Sequence, residues 1–240
     1  MTKVVKRGYV PTDEKEFGAE SIPKLRKAGC DLDYLINQGY PIKGASVFVG
    51  NHYLLSERQR LALVRAISEK ENIAIRKSKE LRTHEGQGSL KDCVVNIDGF
   101  NTIITLEVAF SGSTLLKCMD GTIRDLAGLR GSYRLIDKTE QAIVQIGNVL
   151  ESEHIKKAVF YLDAPVSNSG KLKERIIQLL ENCNFEVEVQ NINNVDQVLS
   201  TLENVVTSDA IILDKCKSWF NLTKAAIQNE MGEYPFVDFL

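Results

Sequence analysis

Short apolar runs that each stop at an acid constrain this chain more than any other feature. Cys93-Val94-Val95-Asn96-Ile97 ends at Asp98-Gly99, and Ala158-Val159-Phe160-Tyr161-Leu162 ends at Asp163. Residues 185–189 form a third run, and residues 203–206 lead through a fourth into Thr207-Ser208-Asp209. Such β-branched runs are too short for buried helices and lack polar alternation, which is how strands buried on both faces of a parallel sheet read. Helical patterns separate them at residues 135–152, 172–182 and 195–202. Strand and helix alternating in this way predict a doubly wound α/β domain with a mostly parallel sheet. Residues 115–125 break the rhythm, because Asp120-Gly121 between short mixed runs is a β-hairpin turn signature.

The front of the chain has a different period. Ile22, Leu25, Ala28, Leu32, Leu35 and Ile36 recur at helical spacing, which predicts a helix over residues 19–38 that Gly39 ends. Pro41 suits the first turn of a shorter helix through Ala45, Val47, Phe48 and Val49, which Gly50-Asn51 would stop. Ser56 with Gln59 predicts a capping-box start for a third helix. The expected organisation is a small all-helical domain over residues 1–88 and an α/β domain over residues 89–240, with a hairpin insertion near 114–134. His84-Glu85-Gly86-Gln87-Gly88-Ser89 is the linker.

With 240 residues, 43% of them hydrophobic, the chain can bury a sizeable core, so disorder as its main state is excluded. No run approaches a membrane span, and no apolar segment follows the basic residues at the start, so the expectation is a cytoplasmic protein without membrane contact. Five scattered cysteines include no C-x-x-C pair, and three histidines include no H-E-x-x-H arrangement. Zinc sites, disulfide frameworks and histidine triads are therefore poor expectations, and carboxylates must carry any catalysis. Charge is uneven: residues 1–90 hold sixteen Lys/Arg against eleven Asp/Glu, leaving fourteen against twenty-one for the remainder. The basic stretch contains Arg58, Arg60, Arg65, Lys70, Arg76, Lys77, Lys79 and Arg82. It reads equally as a phosphate track and as a solvated helix face with internal ion pairs.

In an open parallel sheet, residues just after the strands meet in the crevice at the carboxyl edge. Here they are Asp98, Asp163 and Asp209, joined by Asp196 in the first turn of the helix after the third strand. Converging carboxylates raise one another's pKa, and no Lys or Arg stands beside each. A divalent cation resolves the repulsion, and oxygen ligands favour Mg²⁺ or Mn²⁺ with substrate phosphate completing the shell. That chemistry suits phosphodiester hydrolysis. Each aspartate taken singly also reads as a helix cap or turn former.

The segments VVNIDGFN (94–101), VFYLDAPVSNSG (159–170), EVEVQNINNVDQVL (186–199) and VVTSDAIILD (205–214) resemble, in order, the four acidic motifs of PIN-like nucleases, particularly the NYN branch. The whole chain is also similar to a prokaryotic family, domain of unknown function 434, that joins a helical front part to such a domain. The resemblance covers residues 92–212 and implies a PIN-like, Rossmann-like three-layer fold. It also implies a metal-dependent nuclease in which Asp98, Asp163, Asp196 and Asp209 bind the ions. Thr207 or Ser208 would orient the attacking water, and Asn101 would steady the first turn or touch substrate. The run after Asp163 departs from the motif, where relatives more often carry glycine or a basic segment.

Further candidates stand beside the acids. Ser167, Asn168, Ser169 and Lys171 precede a helix and could cradle a phosphate, or simply cap that helix. Arg124, Arg130 and Arg134, with Tyr133, suit phosphate contact and base stacking, with surface ion pairing as the rival. Glu107 and Asp214 are additional metal-ligand candidates, and Trp219 and the aromatic C-terminal tail are expected to dock on the core. The expected function is a nuclease acting on nucleic acid, with RNA or single-stranded or branched ends favoured. A non-catalytic nucleic-acid- or protein-binding module and a small-molecule phosphatase or nucleotidase are the alternatives. The sequence leaves a homo-oligomer open.

Overall fold

The computed structural model describes residues 5–81, 90–128 and 131–239. Its front part contains α1 (Asp13–Glu16), α2 (Ile22–Asn37), α3 (Ile42–His52), α4 (Glu57–Ala66) and α5 (Lys70–Ser78). The stripe Leu25, Ala28, Leu32 and Ile36 of α2 is buried, as its spacing requires. Ser56 and Gln59 close a capping box at the start of α4, each side chain bonding the other's backbone N–H at 3.1 Å. Helix α3 runs through Gly50-Asn51, contrary to expectation. Gly50 lies against the Arg60 guanidinium and is carried within the helix, so it does not act as a stop signal. Pro41 precedes α3 as its cap. The long basic stretch breaks at Ile67-Ser68-Glu69, where Ile67 is extended and buried, and so separates α4 from α5.

The main sheet has six parallel strands: β1 (Glu80–Leu81), β2 (Val94–Asp98), β5 (Lys157–Asp163), β6 (Glu186–Ile192), β7 (Val205–Val206) and β8 (Trp219–Phe220). Their order is β1-β8-β7-β2-β5-β6. In β5, Ala158, Phe160 and Leu162 join the core on one face, while Val159 and Tyr161 join a second core on the other. Both faces of the strand are thus dry, which explains why it has no polar alternation. Helices α6 (Gly99–Phe110), α7 (Asp137–Ser152), α8 (Ser169–Leu180) and α11 (Leu222–Met231) cover the first face. Helices α9 (Val195–Leu199) and α10 (Ala210–Lys215) cover the second. Helix α6 is buried all round and occupies the centre of the molecule.

The hairpin pairs β3 (Leu115–Lys117) with β4 (Ile123–Asp125) antiparallel, and β9 (Val237–Asp238) joins β3 to complete a second sheet. Gly121 at the hairpin turn has φ +89°, a conformation that disfavours side chains. The front helices share a core with Leu116, Cys118 and Leu126 of the hairpin region and Val237 and Phe239 of the tail. Strand β1, which directly follows the front helices, pairs with β8 at the edge of the main sheet. The expected linker, residues 84–89, lies outside the described residues. Trp219 is fully buried in β8, its indole N–H donating to the Arg76 carbonyl at 2.7 Å.

Candidate functional site

The strand order creates a switch point beside β2. From β2 the sheet grows through β5 to β6 on one side, and the chain then returns to build β7 and β8 on the other. Crevices at such points are where open α/β sheets bind ligands. Asp98 ends β2, and Thr207-Ser208-Asp209 follows the neighbouring β7.

Asp98 is buried and caps α6, accepting the Asn101 N–H at 3.4 Å. The Thr207 hydroxyl donates to its other oxygen at 2.8 Å. Asn101 in turn accepts from the Ser208 backbone N–H at 2.8 Å and from the Ser208 hydroxyl at 3.0 Å. These bonds clasp the start of α6 to the turn after β7. Thr207, Ser208 and Asn101 therefore act as positioning residues, and the two hydroxyls expected to orient water are spent on Asp98 and Asn101.

Gly99 makes the close approach feasible. A Cβ there would lie 2.5 Å from Leu162 Cδ2 and 3.0 Å from the Tyr161 carbonyl oxygen. Gly99→Ala is expected to lower stability by about 1–3 kcal/mol through overpacking, measurable as a fall in Tm. An unchanged Tm would show that β5 yields at this point.

Asp209 caps α10, accepting from the Ile211 and Ile212 N–H groups at 2.8 and 3.3 Å. Asp163 ends β5 and its side chain has no hydrogen-bond or ion-pair partner among the described residues. Asp196 lies in the first turn of α9, where only its own backbone N–H supports the charge. Burial pushes the Asp98 carboxyl up to about 7; Thr207 and Asn101 oppose this, and Asp209 and Asp196 add to it. Burial and then Asp196 raise Asp163, while desolvation and then Asp209 raise Asp196. Asp98, Asp163 and Asp196 thus each carry the repulsion of at least one other aspartate of the four.

All four line a single cleft of about 810 Å³. Its far wall comes from the front helices, through Val64, Arg65, Ile67, Ser68, Glu69, Asn72 and Arg76. Among the described residues, no three His, Cys, Asp or Glu side chains are gathered tightly enough to cage a metal. The donors are nonetheless hard oxygens that repel one another. They fit a hydrated Mg²⁺ or Mn²⁺ held through one or two carboxylates, with Asp163 the least committed, better than a closed all-protein site.

Of the other described candidates, only Arg124 also lines the cleft. Arg124 is buried: its guanidinium donates to the Ser208 carbonyl at 2.7 Å, to Asp120 at 2.6 Å and to the Arg65 carbonyl. It is a structural tie, its guanidinium spent on these three acceptors although it lines the cleft. Tyr133 is buried and donates to Glu107 at 2.5 Å, so it offers no stacking face. Arg134 has an exposed side chain, and Arg130 lies outside the described residues. Ser167, Asn168, Ser169 and Lys171 are not part of the acid cleft. Asn168 donates to the Tyr133 carbonyl at 2.6 Å, and Ser169 accepts from Asn191 at 3.3 Å, so these two serve the start of α8.

Glu107 is fully buried away from the cleft, held by Arg7 at 2.7 Å, Tyr133 and Thr139. Burial raises its pKa, and Arg7 opposes that shift most strongly. Glu107→Gln is expected to cost about 2 kcal/mol by weakening charge-assisted hydrogen bonds, with Mn²⁺ affinity unaltered. A loss of Mn²⁺ binding without a stability change would place Glu107 back at the metal. Asp214 is likewise spent, its carboxylate 2.6 Å from Arg76 Nε.

Four arginines of the basic stretch turn inward, while Lys70 and Lys77 are exposed and Arg82 lies outside the described residues. Arg58 pairs with Asp13, Arg60 bonds Asn51 at 2.9 Å, Arg65 lies 3.7 Å from Asp125, and Arg76 binds Asp120 at 2.7 Å. These arginines staple the helices to one another and to the α/β part, and do not form a phosphate track. The far wall of the cleft carries no mark in the sequence, and Asp120 reads there only as a turn residue. No local signal distinguishes Ser68, Glu69 or Asn72 from ordinary helix residues. Among the described residues, no helix is long and apolar enough to cross a membrane.

Comparison with known families places residues 87–225 in a match to "Domain of unknown function (DUF5616)". Residues 24–79 match "Protein of unknown function (DUF434)". "Uncharacterized protein MJ0935" of Methanocaldococcus jannaschii is 37% identical over 191 residues, covering 79% of this chain and 88% of that protein. No solved structure matches this chain. The first of these matches covers the central strands with all four aspartates, the second covers the helices that build the opposite wall of the cleft, and the chain belongs to the DUF5616 family.

Proposed function

We propose that this chain is a divalent-metal-dependent nuclease of the PIN-like kind that hydrolyses phosphodiester bonds in RNA or in single-stranded or branched nucleic acid. The observation that carries this reading is the meeting of Asp98, Asp163, Asp196 and Asp209 at one cleft whose arginines are already paired with other acids. A bare cleft of this charge repels phosphate, so an anionic substrate requires a cation there. Mg²⁺ or Mn²⁺, when bound, would offset the carboxylates, lower the pKa of its water and stabilise charge on phosphate oxygens. Asp163, the least committed of the four, would hold the ion with one neighbouring aspartate, and the remaining carboxylates would balance its charge across the cleft. Thr207 and Asn101 keep Asp98 and the turn after β7 in place during this work.

The inward-turned arginines also favour a second reading, hydrolysis of a small phosphate ester, because Arg58, Arg65, Arg76 and Arg124 are tied to acids or carbonyls inside the protein and cannot track a polymer backbone. The test is cleavage of end-labelled single-stranded RNA with Mg²⁺ or Mn²⁺, beside Mn²⁺ binding followed by electron paramagnetic resonance. Wild type should bind Mn²⁺ and cleave, and Asp98→Asn should lose cleavage while staying folded. Unchanged cleavage by that variant would remove the mechanism, and hydrolysis of small esters alone would select the second reading.

A further inference from the structure

The cleft has two chemical characters, and the acids account for only one. Val64 on α4 and Ile211 on α10 both line it, and they are 36% and 58% exposed, although apolar side chains that serve only a core are covered. Val64 belongs to the helical wall, whereas Ile211 stands two residues after Asp209 on the acidic side. Ile42, half-buried, extends the apolar surface on the helical wall. Polar groups interrupt it: Asn72 lines the same wall with no side-chain partner among the described residues. Asn101, which also lines the cleft, uses its oxygen on Ser208 and leaves its amide N–H₂ for another acceptor.

A ligand matching this surface needs an anionic group for a cation held at the acids, an apolar body, and hydrogen-bonding atoms on the edge of that body. An aliphatic chain lacks the last, and a bare sugar phosphate lacks the second. Unstacked bases are held in protein pockets by packing between apolar or aromatic side chains, with amide side chains reading their edges.

We infer that the cleft between the front helices and the acidic sheet edge is a nucleobase pocket, with Val64 and Ile211 packing on an unstacked base and Asn72 meeting its edge. The inference rests on the hydrolytic reading above for the position of the phosphate, and names the substrate class as an unpaired nucleotide. The front helices thereby supply half of the binding site.

The test compares adenosine 5′-monophosphate with ribose 5-phosphate by equilibrium binding to the full chain with Mn²⁺, and adenosine alone without metal. Wild type should prefer the nucleotide to the sugar phosphate by at least about tenfold. Val64→Ser and Ile211→Ser, both at exposed positions, should each weaken nucleotide and adenosine binding by roughly threefold to tenfold, from the apolar area removed. Ribose 5-phosphate and Mn²⁺ binding should not change. Equal affinity for the two phosphates, no binding of either by a protein that takes up Mn²⁺, or full retention of the preference in both variants would overturn the inference. Adenosine binding that is sensitive to Val64→Ser in a protein that takes up no Mn²⁺ would keep the pocket and sink the hydrolytic site. Mn²⁺ uptake with no preference for the base would do the reverse.

Discussion

Asp120→Ala is expected to lower stability by about 3–5 kcal/mol, because it leaves two buried guanidinium groups without their shared carboxylate. Asp120 is fully buried, with one oxygen 2.7 Å from Arg76 and 2.6 Å from Arg124, while the other accepts from the Thr122 N–H and hydroxyl. Burial alone would raise its pKa, but Arg124, Thr122 and Arg76 together hold it below the ordinary value. For a chain of this length the loss corresponds to a fall in Tm on the order of 10 °C at pH 7. The sign with pH follows from the lowered pKa. Stability from Asp120 is present above the unfolded carboxylate value and is lost as pH falls through the lower folded one. The gap between wild type and variant should therefore narrow in strong acid. A Tm within about 3 °C of wild type at pH 7 would mean that the two arginines find other partners or water. The same substitution reaches the site, since Arg124 also holds the Ser208 carbonyl and the Arg65 carbonyl.

Asp98→Asn is expected to act in opposite directions on activity and on stability. Cleavage with Mg²⁺ should fall by at least about a hundredfold, the scale of a lost electrostatic contribution in a catalytic site. The metal-free protein should become more stable at pH 8. Burial lifts the Asp98 carboxyl from 3.8 to about 7, so holding it charged in the fold costs on the order of 4 kcal/mol at most. A raised folded pKa contributes stability that is fully present below the unfolded value and is lost as pH rises through the folded one. Wild type and variant should thus melt together near pH 3.5 and diverge between roughly pH 4 and pH 7, the variant being higher. Asparagine keeps the geometry, because its oxygen can still accept from Asn101 and its amide can face Thr207. Adding Mn²⁺ should then raise the Tm of wild type and leave the variant unmoved. A variant less stable than wild type at pH 8 would show that the charged carboxylate is a net structural asset here, as a cap and not as a strained functional group.

Much of the α/β part was legible because its signals are local. A β-branched run that ends in Asp-Gly is a buried strand followed by a tight turn whichever domain holds it, and β2 and β5 lie within one residue of the runs that announced them. The capping box at Ser56 and the hairpin turn at Asp120-Gly121 are legible for the same reason, since each involves residues only a few positions apart. Two-residue strands such as β1 and β8 escaped, because so short a segment carries no period and exists only through pairing with a distant partner. Helix α6 is buried on every side, so no polar face marks its rotation, and only the three-dimensional packing shows that Glu107 points to Arg7 instead of the acids.

The sequence by itself determined that four aspartates would stand at strand ends and helix starts, because apolar runs and their terminators are written in consecutive residues. Only the tertiary structure decided what the charged residues around them do. Arg76 and Arg124 read as surface or substrate-facing cations until Asp120, 44 positions from one and 4 from the other, captures both in the interior. A charged side chain has no fixed destination of its own: in water it is solvated at little cost, and it enters the protein only where folding brings an opposite charge to meet it.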